Sequence, residues 1–439
     1  MLTIKDQAVA AGDSVAASQW QAMFDELTDR IGIRFSRVEP RRRVRALLGG
    51  LLSELPRKNC WTLAEHAGDR TPDGMQHLLA RAVWDADAVR DDLRGYVVEH
   101  LGHDGAVLVV DETGDLKKGT ATVGVQRQYT GTAGRIENSQ VAVFLAYSTP
   151  AGHAFIDREL YLPQAWTGDT GRCRRAGVPR DRPFATKGEL ATWMVARALD
   201  AGVQTRWVTG DEVYGQSPHL RTELEARKVG YVLAVASSHR VTTGAGTCRA
   251  DQVIFSVAQA SWQRLSAGQG AKGHRYYDWA VVEIDRERPG RHWLLIRRNR
   301  RTSELAFYRC YAPAPVPLAV LVMVAGRRWT IEEAFQTGKG LTGLDEHQVR
   351  RWRSWYRWTT LAMLAHAFLA AVTARERADQ PAEPELAPLT LGETRHLLVR
   401  LLVQTAHSMT DLLRWSWWRR RHQARARVSH YRRQAVYEP

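Results

Sequence analysis

The spacing of apolar residues changes abruptly a quarter of the way along this chain. Up to about Gly102 it is helical, as in W-Q-A-M-F-D-E-L, V-R-A-L-L-G-G-L-L and V-R-D-D-L-R-G-Y-V-V-E-H-L. From Ala106 it becomes strand-like, in A-V-L-V-V-D, T-V-G-V-Q-R-Q-Y, Q-V-A-V-F-L-A-Y and H-A-F-I-D-R-E-L-Y-L, with glycine-rich turns between that suggest an antiparallel meander. A helix (K-G-E-L-A-T-W-M-V-A-R-A-L-D-A-G), a strand ending in T-G-D-E, a second helix and the strand Y-V-L-A-V-A then follow. Alternation of that kind adds parallel strands, so the expected core is a mixed α/β sheet.

Short strands and turns dominate 237–314, which reads as a β-rich insertion, and helices return from Leu318. The expected organisation is a helical N-terminal domain (1–102), a first core segment (103–236), the insertion, a helical end of the core (315–378) and a linker, helix and arginine-rich tail (379–439). Within the first block, W-T-L-A-E-H-A-G and D-R-T-P-D-G-M-Q-H-L-L-A-R-A predict two short helices across a glycine break, with Thr71 as N-cap and Pro72 in the first turn. They suit a DNA-reading helix-turn-helix, or an ordinary helical hairpin. The apolar run Leu361–Val372 falls short of the ~20 residues a bilayer span needs and predicts a core helix, so no membrane partner is expected.

Lysine and arginine exceed aspartate and glutamate by 62 to 47, a formal charge of +15 that favours a polyanionic partner. The tail concentrates it: arginines stand at 414, 419, 420, 421, 425, 427, 432 and 433, with no acid between Arg414 and Arg433. Arg419, Arg420 and Arg421 are candidate phosphate contacts. A second cluster, R-R-W-R-S-W-Y-R-W, adds Arg350, Arg351 and Arg353, interleaved with aromatics that suit either DNA or helix packing. The four cysteines form no C-x-x-C pair, so neither a zinc knuckle nor a disulfide framework is suggested, and a reducing cytoplasm is expected.

Three carboxylates carry the candidate chemistry. Asp111 and Asp211 are expected at strand ends, where the backbone leaves a side chain little freedom, and Glu332 on a helix. Arg328 and Lys339, at i−4 and i+7, share the Glu332 face. Acids that converge repel one another, and hard divalent cations relieve the repulsion. Two Mg²⁺ or Mn²⁺ ions per site could activate a hydroxyl and stabilise the leaving oxygen of a phosphodiester, with Asp111 the bridging ligand. Glu112, Glu212 and Glu333 are neighbouring alternatives.

The run R-W-T-I-E-E-A-F-Q-T-G-K has the R-x(3)-E-x(6)-K spacing of the Y-R-E-K signature, and the chain resembles the DDE transposases of bacterial insertion sequences related to family four. V-V-D-E-T-G-D-L-K-K-G-T, I-D-R-E-L-Y-L-P, W-V-T-G-D-E-V-Y-G and G-L-D-E-H-Q-V-R-R-W resemble the branch called family seven-oh-one, and the likeness runs from about Arg57 to the tail. It implies a ribonuclease H-like core with Asp111, Asp211 and Glu332 as catalytic triad and metal ligands, and Arg328 and Lys339 at phosphate. It also implies binding to terminal inverted repeats, cleavage by hydrolysis, joining of 3′-ends to target DNA, and a homodimer assembled on paired DNA ends in the nucleoid. The signature tyrosine is replaced by Ala325. Relatives can stack a flipped base on an aromatic of the insertion, where Trp262, Trp279 and Trp293 lie, though core packing suits each as well. Two rivals stand beside this reading. One is a non-catalytic basic DNA-binding regulator; the other is a tyrosine recombinase, suggested by His347 and Arg350 in H-x-x-R and opposed by the strand-rich centre.

Overall fold

The computed structural model describes residues 17–270, 273–379, 388–402 and 425. Arg419, Arg420 and Arg421 lie outside the described residues. Two compact units divide the described chain: residues up to Trp84 with Glu346–Gln348 and those from Arg395, and Asp85–Asp345 with Val349–Thr394.

The first unit is helical. In α1 (Ala17–Gly32), Trp20, Met23, Leu27 and Ile31 recur at helical spacing and are buried, as are Val44, Leu47, Leu48 and Leu51 of α2 (Val38–Leu52). A capping box at Asn59 starts α3 (Cys60–His66), whose side chain takes the amides of Trp61 and Thr62. The next helix, α4 (Asp73–Ala80), begins one residue later than the sequence suggests. Pro72 is its N-cap, and the Thr71 hydroxyl bonds the Asp73 carboxylate at 3.0 Å instead of capping.

The second unit begins with α5 (Ala86–Leu101), a helix grouped by its periodicity with the N-terminal block but packed against the sheet of this unit. The strands β1 (Val107–Leu116), β2 (Gln126–Thr130), β3 (Arg135–Ser148) and β4 (His153–Leu160) follow. They are not a simple meander: β3 is long enough to pair with β1 along one side and with both β2 and β4 along the other. After the short helices α6 (Gln164–Thr167) and α7 (Thr170–Ala176) come α8 (Lys187–Asp200), β5 (Trp207–Gly210), α9 (Glu212–Gly215), α10 (Pro218–Ala226) and β6 (Gly230–Val235). Both β1–β5 and β5–β6 are parallel, as the strand–helix alternation predicts.

The β-rich segment forms the hairpin β7 (Arg240–Thr243) and β8 (Gly246–Arg249), the short helix α11 (Ala250–Val253), then β9 (Gln263–Gly270), β10 (Gly273–Glu283), β11 (Arg291–Arg298) and β12 (Leu305–Ala312). The last four extend the main sheet, because β12 pairs antiparallel with β6, giving the order β2-β3-β1-β5-β6-β12-β11-β10-β9. Val241, Val253, Ile284, Leu294, Ile296 and Phe307 are buried together there. The chain is therefore a mixed α/β protein with a large, mostly antiparallel sheet.

Finally α12 (Leu318–Arg327), α13 (Trp329–Thr342) and α14 (Trp352–Asp379) pack on the sheet, and α15 (Leu391–Leu402) follows. From Ser354 to Ala374 every residue of α14 is buried, which explains why Leu361–Val372 is apolar on all sides except at His366. No described helix is long and apolar enough to cross a membrane.

Candidate active site

β1 pairs with β5 only from Val107 to Val110, and β5 ends at Gly210. At that point the chain leaves the sheet and Asp211 caps α9, its carboxylate taking the Val213 amide at 2.9 Å. A Cβ on Gly215 would meet the Ala234 carbonyl at 1.8 Å, so a glycine lets α9 lie directly on β6. Asp111 is the first β1 residue past the shared pairing. It was expected to end its strand, but β1 runs on to Leu116 because β3 pairs with it throughout. The two aspartates thus meet where β5 stops, at the carboxyl ends of neighbouring parallel strands, a crevice this architecture commonly uses for ligands.

Glu332 arrives from α13. The Arg328 guanidinium donates to it at 2.8 Å and approaches the Asp111 carboxylate at 3.7 Å, tying the helix-borne acid to the strand-borne one. Asp111 is pushed up to about 7 by burial and by the charge of Asp211, with Arg328 opposing only weakly. Asp211 is raised by burial and by Glu112. Arg328 is raised above the ordinary arginine range although burial works against it, because Glu332, Asp111 and Asp211 all face it. Among the described residues the oxygens of these three acids do not all lie within 4.8 Å of one another.

The neighbouring acids sort themselves by direction. Side chains alternate along a strand, so Glu112 points to the opposite face from Asp111. There Lys187, at the start of α8, pairs with it, and Tyr214 donates its hydroxyl at 2.5 Å. Burial holds Tyr214 well above its ordinary range, with Glu112 and Asp111 adding to the effect, so its proton stays in that bond. Glu212 is exposed, and Glu333 lines the cleft beside the site.

The expected cations are placed unevenly. Arg328 sits among the acids. Lys339 lies farther along α13, near Lys117; burial lowers the Lys117 ammonium and Lys339 contributes. Arg350, Arg351 and Arg353 are exposed around the start of α14, whereas Trp355, Arg357 and Trp358 of the same cluster are buried. Of the insertion tryptophans, Trp279 is core, its indole N–H on the Leu265 carbonyl at 3.2 Å. Trp262 is covered by Arg298 at 4.2 Å, and Trp293 is half-buried.

Sequence reasoning missed Lys187 and Tyr214, although Tyr214 stands inside W-V-T-G-D-E-V-Y-G. It also missed Trp329, which is 45% exposed and lines the same cleft as Asp211. An aromatic in the first turn of a helix that carries a site acid was the available signal. The H-x-x-R reading gains nothing: His347 is buried, and the second unit is built on a sheet of ten strands.

Fold and site together define a class, the mixed α/β enzymes whose site is a carboxylate cluster at the ends of parallel strands. A family profile described as DDE superfamily endonuclease matches residues 27–267, more than half of the chain, and the chain belongs to that family. A second profile, described as Transposase DDE domain, matches residues 188–368 and so includes both Asp211 and Glu332. Over 194 residues the chain is 29% identical to the "Probable transposase for insertion sequence element IS701" of Microchaete diplosiphon. That alignment covers 44% of this chain and 48% of the relative, about half the length of each.

Proposed function

We propose that the chain is an insertion-sequence transposase that binds the inverted-repeat ends of its element, cuts them by phosphodiester hydrolysis and joins the 3′-ends to target DNA. One observation carries the reading. Two half-buried aspartates held above their ordinary pKa and a helix-borne glutamate share one arginine, an arrangement whose excess negative charge suits hard cations.

Asp111, Asp211 and Glu332 would hold Mg²⁺ or Mn²⁺, with two ions per site. The donor set fits, being all oxygen, anionic and mounted on a strand, a cap and a helix. Bound cations would supply an activated hydroxyl and charge neutralisation at the leaving oxygen. The protein's own groups do the rest. Arg328 balances Asp111 and Glu332 and is placed to neutralise a scissile phosphate. Lys187 and Tyr214 hold Glu112, whose charge still bears on Asp211 and Asp111. Lys339, the exposed Arg350, Arg351 and Arg353, and Arg419–Arg421 supply further phosphate contacts.

The order β4-β3-β1-β5-β6, with β3 antiparallel to its neighbours, supports a ribonuclease H-like core. The domain boundaries given above, the homodimer on paired ends and the cytoplasmic, nucleoid-associated setting belong to the same proposal.

Purified protein incubated with labelled duplexes carrying the element's ends and Mg²⁺ or Mn²⁺ should nick at the ends, and Asp111→Ala should not. Cutting that persists in the variant removes the triad. Metal-independent covalent attachment of protein to DNA would instead favour a recombinase.

A further inference from the structure

The cleft lined by Asp211, Arg328 and Trp329, of about 1140 Å³, is bounded on one side by Arg275 of β10. Beyond Arg275 lies a second cavity, of about 860 Å³, that the proposed reaction does not use. The two share Ala267, His274, Arg275, Gly326, Glu333 and Gln336 in their walls. The wall is thin there because a Cβ on Gly326 would stand 2.0 Å from the Ala267 carbonyl, so only glycine lets α12 meet β9 so closely.

The second cavity is cationic. Arg275, Arg327 and Arg377 line it, against the single carboxylate of Glu333. Each arginine is fixed by neutral carbonyls: Arg327 by Thr149 at 3.0 Å, Arg377 by Leu389 at 2.7 Å, and Arg275 by Ala267 at 3.0 Å and Gly326 at 3.2 Å. Carbonyls orient a guanidinium without cancelling its charge. The Nε of Arg275 is buried with no partner among the described residues. Burial alone pushes Arg327 and Arg377 below the ordinary arginine range, and no acid counters it. His153 has no side-chain hydrogen bond among the described residues and is held neutral, pushed down to about 4 by burial and by Arg327 and Arg377.

Guanidinium groups with free N–H positions, half-buried at Arg275 and Arg327 and exposed at Arg377, recognise phosphate oxygens. The volume is that of a small-ligand pocket, too small for a duplex but able to take a few nucleotides of one strand. We propose that this cavity binds the phosphodiester backbone of a short single-stranded DNA segment continuing, past Arg275, from the strand held at the carboxylates. The proposal rests on the DNA-processing reading above and extends it to a strand-specific site.

The test uses the full chain, fluorescence anisotropy and two probes, a blunt duplex and the same duplex with a short single-stranded extension, each over a series of salt concentrations. Wild type should bind the extended probe more tightly and with a steeper salt dependence. Arg327→Gln with Arg377→Gln should remove that gain, on the order of tenfold, lowering the salt slope by roughly 0.7 per arginine while leaving the blunt duplex unchanged. Arg327→Lys with Arg377→Lys should keep much of the slope, which separates charge from folding. The proposal is overturned if the extension adds nothing in wild type, if the glutamine pair keeps the gain, or if it loses both probes equally. Failure of wild type to bind either probe would bring down the parent reading as well.

Discussion

Two sets of acids lie in the second unit, one buried and one half-buried, and they are treated in opposite ways. On β4, Asp157 is wholly buried, with Arg90 on one carboxylate oxygen at 3.2 Å and Arg197 on the other at 2.8 Å. Glu159 receives Arg197 at 2.9 Å, Arg182 at 2.7 Å and the Tyr356 hydroxyl at 3.0 Å. Burial opposes the Arg197 charge, yet the two acids raise its pKa above the ordinary range. At the β1–β5 edge, Asp111, Asp211 and Glu332 have one arginine among them, and the aspartates are raised. A network in which every charge is answered locks α5, α8 and α14 to the sheet. A set left under-compensated stores repulsion, which a bound cation would relieve.

The same edit should therefore have opposite consequences in the two sets. Under the proposed function Asp111→Asn removes a metal ligand and should lower metal-dependent cleavage of DNA ends by about 10³-fold or more, corresponding to a loss of several kcal/mol at the transition state. Because it also removes repulsion, the folded protein should melt no lower than wild type. Asp157→Asn should do the reverse, leaving Arg90 with Asp91 and Arg197 with Glu159 but a wholly buried carboxylate lost between them, at a cost of about 1–3 kcal/mol in urea unfolding. If Asp111→Asn destabilises as much as Asp157→Asn, the edge acids are structural and the contrast is broken.

Divalent cations sharpen the comparison from the other side. Ligand that binds only the folded state stabilises it by about 2.7 kcal/mol at a hundredfold excess over Kd. Mg²⁺ or Mn²⁺ should raise the melting temperature of wild type and of a variant in the β4 network that still folds, such as Arg182→Gln, whose side chain pairs with Glu159. Neither ion should raise that of Asp111→Asn or Asp211→Asn. Equal shifts in all four proteins would place the cations elsewhere.

How much of this was legible in the sequence follows from what each part depends on. Asp111, Asp211 and Glu332 could be put on a strand, a strand exit and a helix because apolar periodicity and a short motif are local signals. The extent of β1 was not local: Glu112–Leu116 reads as a turn until the length of β3 is known, since pairing with β3 is what keeps it extended. The joining of the insertion to the main sheet through β12 and β6 is a non-local pairing that composition cannot encode. The β4 network was hardest to see. Its acids sat in the quoted run I-D-R-E-L-Y-L-P, but charges on a strand normally face water, and their partners come from residues 90, 182, 197 and 356.

The smallest expected effect concerns a buried polar group that belongs to neither set. His366 of α14 is wholly buried, with Nε2 2.9 Å from the Thr337 hydroxyl of α13 and Nδ1 without a partner among the described residues. Burial, with some help from His153, pushes it down to about 3. In the unfolded chain it titrates near 6.5. The folded state therefore binds fewer protons between these values, so its contribution to stability is complete above the unfolded pKa and is lost as pH falls toward the folded one. At about pH 5 the loss is roughly 2 kcal/mol. Melting temperature should fall between pH 7 and pH 5 in wild type and fall less in His366→Gln, which cannot titrate. Since α13 carries Glu332 and Thr337 on successive turns, retention of the wild-type slope in that variant would move the acid sensitivity from this helix contact to the neighbouring His153, which burial, Arg327 and Arg377 push down to about 4.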